Sequence, residues 1–312
     1  MCSNNYFSEM AEIPSPKNSG LILRKWKLKN NKKDQLDKYE SKFLTEYFNI
    51  GLAFYKYAPD IRLSELSERK RAWLQELSEK WKFCETNLPD GFIYKQLKSS
   101  NKISEVENQL KNFFQMGVKI LCGKTTQPLI VGLGEPSPYE TGITLDFLTG
   151  LPIIPGSALK GVTRRAAIMK LSGRTDILPY GNEFDELAKA YDQHEQIVEI
   201  FGTQDQKGKV IFMDAYPVEW PNGLFRVDIM NPHYGPYYSN PSEENPPADW
   251  YNPVPVPYLT VNTDVIYRFV LASEKENRDL LNAAVEWLKF ALENIGVGAK
   301  GNQGYGVFQL KE

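Results

Sequence analysis

The order of predicted elements between Met116 and Glu312 constrains the fold of this chain more than any other feature. Stretches that alternate apolar and polar residues, typical of strands, take turns with stretches whose apolar residues recur every three or four positions, typical of helices. The order is strand, helix, strands, helix, strand, which predicts an α+β fold of ferredoxin-like type, an antiparallel sheet backed by two helices. The predicted elements are strands and turns within 116–152, a helix over 154–171, strands within 209–220, 224–241 and 258–272, a helix over 279–295, and a strand over 305–310.

The first part of the chain, residues 1–112, is predicted to be a basic lead followed by a helical segment. The run LILRKWKLKNNKK, residues 21–33, contains six basic residues and no acidic one. It suits a solvated edge strand or tail, but Trp26 among the cations also suits phosphate attraction with base stacking. Apolar residues at helical spacing predict two amphipathic helices within 34–57 and 63–84. We therefore separate this segment from a second unit, 113–312, which carries the ferredoxin-like pattern.

The charge balance limits the partners that this chain can attract. Its 37 Lys and Arg residues nearly balance 39 Asp and Glu residues, which gives a net charge of -2. No global basic field draws such a chain to nucleic acid or to a membrane, so an RNA site must be a local patch. No apolar run approaches the ~18 residues of a membrane span, and the start is polar, so neither membrane insertion nor export is expected.

Cysteine and histidine usage argues against disulfide and metal chemistry. Cys2, Cys84 and Cys122 lie far apart and match neither a disulfide framework nor a CxxC motif. The simplest compartment is therefore a reducing cytoplasm. With only His194 and His233 in the chain and no HExxH pattern, we expect no metal site.

The stretch IPGSALKGVTRRA, residues 154–166, marks a helix start that could hold an anion. Ser157 is the predicted N-cap, and a helix N-terminus carries positive dipole charge and unpaired N–H groups. Lys160 and Arg164, four positions apart, share one face of this helix. On spacing alone, these cations also fit an ordinary solvated helix face.

The stretch GVGAKGNQGYG, residues 296–306, matches the dinucleotide fingerprint GxGxxG in letters but not in context. That fingerprint follows a strand and opens a helix, whereas here a helix precedes and a strand follows. A P-loop is missing as well, so we expect no NAD or nucleotide cofactor. The glycines are typical either of a helix-to-strand connector or of a loop whose backbone approaches a ligand, with Lys300 as a cation. In a ferredoxin-like fold this loop can approach the first helix and bring Lys300 near Lys160, and we then expect Gly298 and Gly301 to serve RNA retention more than stability.

Three further residues are candidates for a catalytic role. His233, beside Tyr234 in a Pro- and Tyr-rich stretch, is the only credible general acid or base. Asp214 and Asp228 lie in neighbouring strands, but a structural cap or pair is favoured over a metal-dependent nuclease for Asp214. The aromatic residues that follow, Tyr237, Tyr238, Trp250 and Tyr251, also fit a protein interaction surface.

Two stretches together resemble the marks of the RAMP superfamily of CRISPR-associated proteins. They are GLPIIPGSALKGVTR, residues 150–164, and the glycine-rich loop near the C-terminus, residues 296–306. The likeness covers residues 116–312, and the stretches VGLGEPSPYETGITLD, IFGTQDQKGKVIFMDAYP and DIMNPHYGPYYSNP narrow it to a RAMP subunit of the Cmr module, the type III-B effector complex.

The resemblance implies a ferredoxin-like, RRM-related RAMP fold and an architectural subunit without catalytic activity. Such a subunit binds CRISPR guide RNA and target RNA together with sibling RAMP subunits, and it caps the complex near the 3′ part of the guide. The alternative is a metal-independent endoribonuclease of the RAMP type that uses His233. Carried onto this chain, the RNA-binding residues are Ser157, Lys160, Arg164, Arg165, Lys300, Asn302 and Tyr305, with His233 as a further candidate.

Overall fold

A computed structural model of the chain describes residues 70–72, 74–75, 116–137, 140–147, 149–242, 244–248 and 250–311. The basic lead and most of the helical segment predicted within 1–112 lie outside these residues. The strands are β1 Met116–Thr125, β2 Val210–Phe212, β3 Tyr216–Glu219, β4 Phe225–Met230, β5 Val256–Val261, β6 Ile266–Glu274 and β7 Phe308–Leu310. The helices are α1 Gly156–Ser172, α2 Asn182–Tyr191, α3 Glu195–Phe201, α4 Gly235–Ser239 and α5 Arg278–Phe290.

A five-stranded antiparallel sheet forms the centre of the fold. Its strand order is β2-β6-β1-β7, and β3 also pairs with β6. The two central strands, β1 and β6, are paired from Met116 opposite Glu274 to Lys124 opposite Ile266. The strand β6, IYRFVLASE, is rich in β-branched and aromatic residues, which pack well on a pleated, covered surface. The mixed α/β architecture with antiparallel sheets agrees with the predicted fold class.

The strands β4 and β5 form a second, two-stranded sheet. A short turn joins β5 to β6 of the main sheet. The turn between β5 and β6 is held by the fully buried Thr125, whose hydroxyl donates to the Asn262 carbonyl at 3.0 Å. The same hydroxyl accepts the N–H of Val265, also at 3.0 Å. Because a buried hydroxyl must find hydrogen-bond partners, Thr125 fixes the position of the turn between β5 and β6 relative to β1.

The main core lies between the sheet and the helices α1 and α5, which pack on each other. Fully buried Ala166 and Ala167 let α1 approach its neighbours closely. On the sheet, the Phe269 and Phe308 rings meet edge to face with centroids 5.3 Å apart, an arrangement that the ring quadrupoles favour. No described helix has the length and apolar character to cross a membrane.

Residues 70–72 and 74–75 are helical and touch the main core. Leu74 is buried within it, and the buried Lys70 places its Nζ 3.3 Å from Glu140 Oε2. Burial lowers the pKa of Lys70, while the Glu140 carboxylate opposes that change. The boundary predicted between 1–112 and 113–312 stays a prediction. The contacts of Lys70 and Leu74 join residues on its two sides.

The predicted helices over 154–171 and 279–295 are confirmed, the second as α5 followed by a π-helical turn, Ala291–Ile295. The two helices α2 and α3, between α1 and β2, were missed. Both are short, with ten and seven residues, and α2 buries only Phe184, so each segment offers few apolar residues from which a helical period could be recognised.

The prediction of one strand within 209–220 is wrong, because Asp214 and Ala215 interrupt it. Asp214 Oδ1 accepts the N–H of Gly156, the first residue of α1, at 2.7 Å. Ala215 exchanges two backbone hydrogen bonds with Ile154, at 3.0 and 2.8 Å. The edge strand therefore divides into β2 and β3 in order to hold the start of α1.

We expect Asp214→Ala to lower the free energy of unfolding by about 1 kcal/mol, since a helix cap is lost. Asp214→Asn keeps an acceptor oxygen and should cost less. The measurement is urea denaturation, with Asp205→Ala at an exposed loop position as the matched control. Equal midpoints for Asp214→Ala and the control would contradict the capping role.

Candidate nucleic-acid interface

The start of α1 differs from the predicted anion site. Pro155 is the N-cap and Gly156 the first helical residue, so the prediction of Ser157 as N-cap is wrong; Ser157 is exposed one position further on. Gly156 is required because a Cβ atom there would overlap the Phe212 carbonyl oxygen. The Asp214 carboxylate accepts a hydrogen bond from the Gly156 N–H, a group that was expected to bind a phosphate. This helix end is thus already capped by an anion of the protein itself.

The cations of α1 differ in their surroundings. Arg164 is half-buried and forms an ion pair with Asp192, the C-cap residue of α2. The side chains of the half-buried Lys160 and the exposed Arg165 form no hydrogen bond or ion pair with any other residue that the structure describes. Lys160 and Arg165 share with Lys170, whose Nζ lies 4.0 Å from the Phe290 ring centroid, a charge that no described ion pair offsets.

The glycine-rich loop, residues 296–306, is ordered by hydrogen bonds to its own neighbours. Ala299 donates to the Ile130 carbonyl and Gly306 to the Pro128 carbonyl, both at 2.8 Å. A Cβ atom at Gly298 would overlap the Ile130 carbonyl oxygen, and the residue has a φ of +97°. Gly298 therefore packs against the protein backbone, and its expected role in RNA retention stays a prediction.

Gly301 and Gly304 form a different part of the same loop. A Cβ atom at Gly301 would meet nothing closer than the Ile295 carbonyl oxygen at 3.9 Å, and one at Gly304 would meet nothing within 4 Å. The backbone here is exposed to solvent over Gly301–Gln303, which includes the exposed Asn302. This part of the loop leaves room for a ligand to approach the backbone.

Lys300 lies between these two parts and rests on aromatic rings. Its Nζ is 4.5 Å from the Tyr258 ring centroid and 5.7 Å from that of Tyr305. The Tyr305 hydroxyl donates to Asp228 Oδ2 at 2.5 Å and lies 3.1 Å from the Tyr258 hydroxyl. Arg226 also donates to Asp228, at 3.3 Å. Contact with two ring faces holds the ammonium group in place by cation–π attraction.

The hydroxyl of Tyr305 is committed within this network. Burial and then the hydrogen bond to the Asp228 carboxylate raise the pKa of Tyr305 above its ordinary value. The hydroxyl thus stays protonated as a donor to Asp228. The hydroxyl of Tyr305 is thus already engaged within the protein, and its half-buried ring faces the Lys300 ammonium group.

The cations of α1 and Lys300 of the glycine-rich loop are not joined to each other in the described part of the chain. No hydrogen bond, ion pair or ring contact there joins Lys160, Arg164 or Arg165 to Lys300, although the π-helical turn that leads into the loop packs on α1. The single groove predicted for Lys160 and Lys300 stays a prediction.

The hairpin formed by β4 and β5 contributes to the site in a way that the sequence did not predict. Tyr258 and Asp228 lie directly opposite each other on these strands, and both contact the loop through Tyr305. Asp228 had been considered only as a nuclease carboxylate. The pairing register of the hairpin would have placed Tyr258 beside Asp228, but nothing local in the sequence predicts that Tyr305 joins them.

His233 lies in the loop between β4 and β5 and is exposed. Its ring centroid is 6.5 Å from that of Tyr234, in a tilted arrangement. No described carboxylate or carbonyl group accepts a hydrogen bond from the imidazole. Among the described residues, no group of three or more His, Cys, Asp or Glu side chains is placed to hold a metal ion.

Comparison with known proteins identifies the class to which this fold and these motifs belong. The RAMP superfamily model matches residues 123–309, so the chain belongs to the RAMP superfamily. It is 32% identical to the CRISPR system Cmr subunit Cmr6 of Pyrococcus furiosus, over 83% of this chain and 93% of that protein. It is 29% identical to Cmr6 of Saccharolobus solfataricus, over 56% of this chain and 50% of that protein.

A chain in the cryo-EM structure of the type III-B Cmr-beta complex bound to cognate target RNA has the same fold. The two chains align with a TM-score of 0.56 and 23% identity, over 82% of this chain and 77% of that chain. The predicted membership of the RAMP superfamily is confirmed, and so is the resemblance to its Cmr6 members, the sixth subunit of the Cmr module.

We expect Gly298→Ala to destabilise the protein by 1 kcal/mol or more, about the cost of forcing an L-residue into a strained, crowded conformation. Gly301→Ala, three positions away in the same loop, should change stability by less than about 0.5 kcal/mol. Thermal unfolding of the two variants measures the difference. Equal melting temperatures would contradict the assignment of Gly298 to packing.

Proposed function

We propose that this chain is a non-catalytic, RNA-binding subunit of a type III-B CRISPR effector complex. The observation that carries the proposal is the similarity to Cmr6 of Pyrococcus furiosus over nearly the whole of that protein. The shared fold with a chain of a Cmr-beta complex bound to target RNA adds support at the level of architecture. In this role the subunit works in the cytoplasm with sibling Cmr subunits and caps the complex near the 3′ part of the guide RNA.

The strand order supports a ferredoxin-like, RRM-related domain within this proposal. In the order β7-β1-β6-β2, the two long strands β1 and β6 lie at the centre, and the short strands β7 and β2 lie at the edges. A long helix follows β1 along the chain, and another follows β6. This order is the one expected of the β-α-β-β-α-β arrangement that many RNA-binding domains use.

Lys300 with its aromatic neighbours is the best-built part of the proposed RNA site. The Lys300 ammonium group suits single-stranded RNA because it attracts phosphate, and the half-buried Tyr305 ring is the candidate for stacking with a base, since the Tyr258 ring is fully buried. The open backbone at Gly301 and the exposed Asn302 lie next to it. On α1, Lys160, Arg165 and Ser157 would add contacts, while Arg164 first has to leave Asp192.

The near-neutral charge of the chain fits a shared RNA site. With a net charge of -2, the subunit has few cations in excess, and its own affinity for RNA is expected to be modest. In an effector complex, sibling subunits hold the rest of the strand. A small local set of cations is then sufficient at the end of the guide.

The surroundings of His233 and Asp214 favour the scaffold over the endoribonuclease. A general base needs a group that orients it, and His233 is exposed without a hydrogen-bonded carboxylate or carbonyl among the described residues. The Asp214 carboxylate is engaged at the start of α1. These surroundings therefore support a scaffold better than they support an endoribonuclease.

We predict that the chain, tagged and isolated from its host, carries sibling Cmr subunits and a guide RNA in native mass spectrometry. Complexes with Lys300→Glu and Lys160→Glu should bind RNA more weakly because phosphate contacts are lost. The slope of log affinity against log salt should flatten by about one unit for each contact. Arg164→Glu is avoided, because the new carboxylate would face Asp192.

The matched control is Lys207→Glu, an exposed cation in the turn before β2. It makes the same change in net charge and should leave RNA binding and its salt slope unchanged. Isolation of the chain without sibling subunits or RNA would overturn the proposed function. Unchanged slopes in folded Lys160 and Lys300 variants would overturn only the proposed site.

The scaffold and the nuclease make opposite predictions for His233. A general acid or base contributes roughly a hundredfold to ten-thousandfold to rate, so His233→Ala in a nuclease should nearly abolish cleavage. We predict that the purified wild-type chain leaves labelled guide and target RNA intact, with EDTA or with magnesium. Cutting at a defined position by the wild type, lost in a His233→Ala variant that still binds RNA, would favour the nuclease.

A further inference from the structure

A long loop with exposed aromatic residues projects from the two-stranded sheet. We call residues 231–255 the aromatic loop; it joins Met230 at the end of β4 to Val256 at the start of β5. Apart from the short helix α4, its described residues contain no helix or strand. Loops of this length inside a compact domain are usually functional.

The aromatic loop exposes three large apolar or aromatic side chains to solvent. Trp250, Tyr238 and Val254 are exposed by 73%, 65% and 64% respectively. The rings of Tyr238 and Tyr237 lie 5.8 Å apart, and those of Trp250 and Tyr251 lie 5.9 Å apart. Clustered, exposed rings of this kind mark an interaction surface, since isolated apolar residues need no such explanation.

Hydrogen bonds within the aromatic loop order it without a partner. The Tyr238 N–H donates to the Tyr234 carbonyl, and the Asn240 N–H to the Pro236 carbonyl, both at 3.0 Å. Asn245 donates its side-chain amide to the Asn240 carbonyl at 3.2 Å. A surface that is ordered in advance loses less conformational entropy when a partner binds.

The charge of the aromatic loop decides whether RNA or a protein is the better partner for it. The sequence contains no Lys or Arg between Arg226 and Arg268, whereas the loop itself contains Glu243, Glu244 and Asp249. Phosphate would be repelled by these carboxylates and would find no cation there. A protein surface with Lys and Arg would find both opposite charges and ring faces for cation–π contacts.

We propose that the aromatic loop docks a protein whose contact surface combines Lys or Arg with apolar residues. Given the proposed function, on which this identification rests, that protein is a sibling subunit of the effector complex. Trp250 and Tyr238 are the expected anchors, because Trp and Tyr dominate the energetics of protein interfaces.

The test measures the affinity of the full chain for the sibling Cmr subunits of the same host, purified together without it. Trp250→Ala should weaken this affinity about tenfold to thirtyfold, the usual effect of losing an interfacial Trp. Glu244→Lys should also weaken it, because the new cation faces the partner's cations. Leu178→Ala, at a residue 63% exposed elsewhere, is the control and should change nothing.

Glu244→Lys separates a protein partner from RNA, since the two respond with opposite sign. If the loop binds RNA, the variant should bind guide RNA more tightly while its affinity for the subunits is unchanged, and the proposal is overturned. The docking surface is also overturned if folded Trp250→Ala and Glu244→Lys variants bind the sibling subunits as tightly as the wild type does. In that case the chain still joins the complex, so the proposed function stands. If the wild-type chain does not bind the sibling subunits at all, the proposed function fails together with the docking surface.

Discussion

The antiparallel pairing of β1 with β6 holds the rest of the structure in place. Near the end of this pair, the backbone of Thr125 faces Phe308 of β7 on one side, and its hydroxyl fixes the turn that leads to β5 on the other. The next residues, 128–130, receive hydrogen bonds from the glycine-rich loop. The loop and the hairpin that carry Lys300, Tyr305 and Tyr258 are therefore positioned by the centre of the sheet, over long sequence separations.

A single carboxylate, Asp214, accounts for several local features that otherwise look unrelated. By accepting the N–H of Gly156 it divides the edge strand into β2 and β3 and fixes where α1 begins. The favourable interaction of a negative charge with a helix N-terminus is then realised within the protein. A phosphate at the same point would have to displace this carboxylate, so the cations further along α1 are the more accessible part of the helix for RNA.

The sequence predicted the elements of the fold better than it predicted the site, for a physical reason. Helices such as α1 and α5 are determined by apolar spacing within each segment, and both were located correctly. The contact of Tyr305 with Asp228 joins residues 77 positions apart and depends on how loop and hairpin meet in three dimensions. Likewise, the spacing of glycines could not distinguish Gly298, which packs on the Ile130 carbonyl, from Gly301, which is open.

The hairpin of β4 and β5 brings the two proposed surfaces close together. Asp228, in the network beside Lys300, is two residues before Met230, where the aromatic loop starts, so roughly 7 Å of strand separates them. The proposed RNA site carries cations, and the aromatic loop carries none. Phosphate is thus attracted to one side of the hairpin and repelled from the other, where a basic partner is attracted instead. A partner docked on the aromatic loop would bring its own cations next to Lys300, so that a chain of net charge -2 could hold RNA jointly with its neighbour.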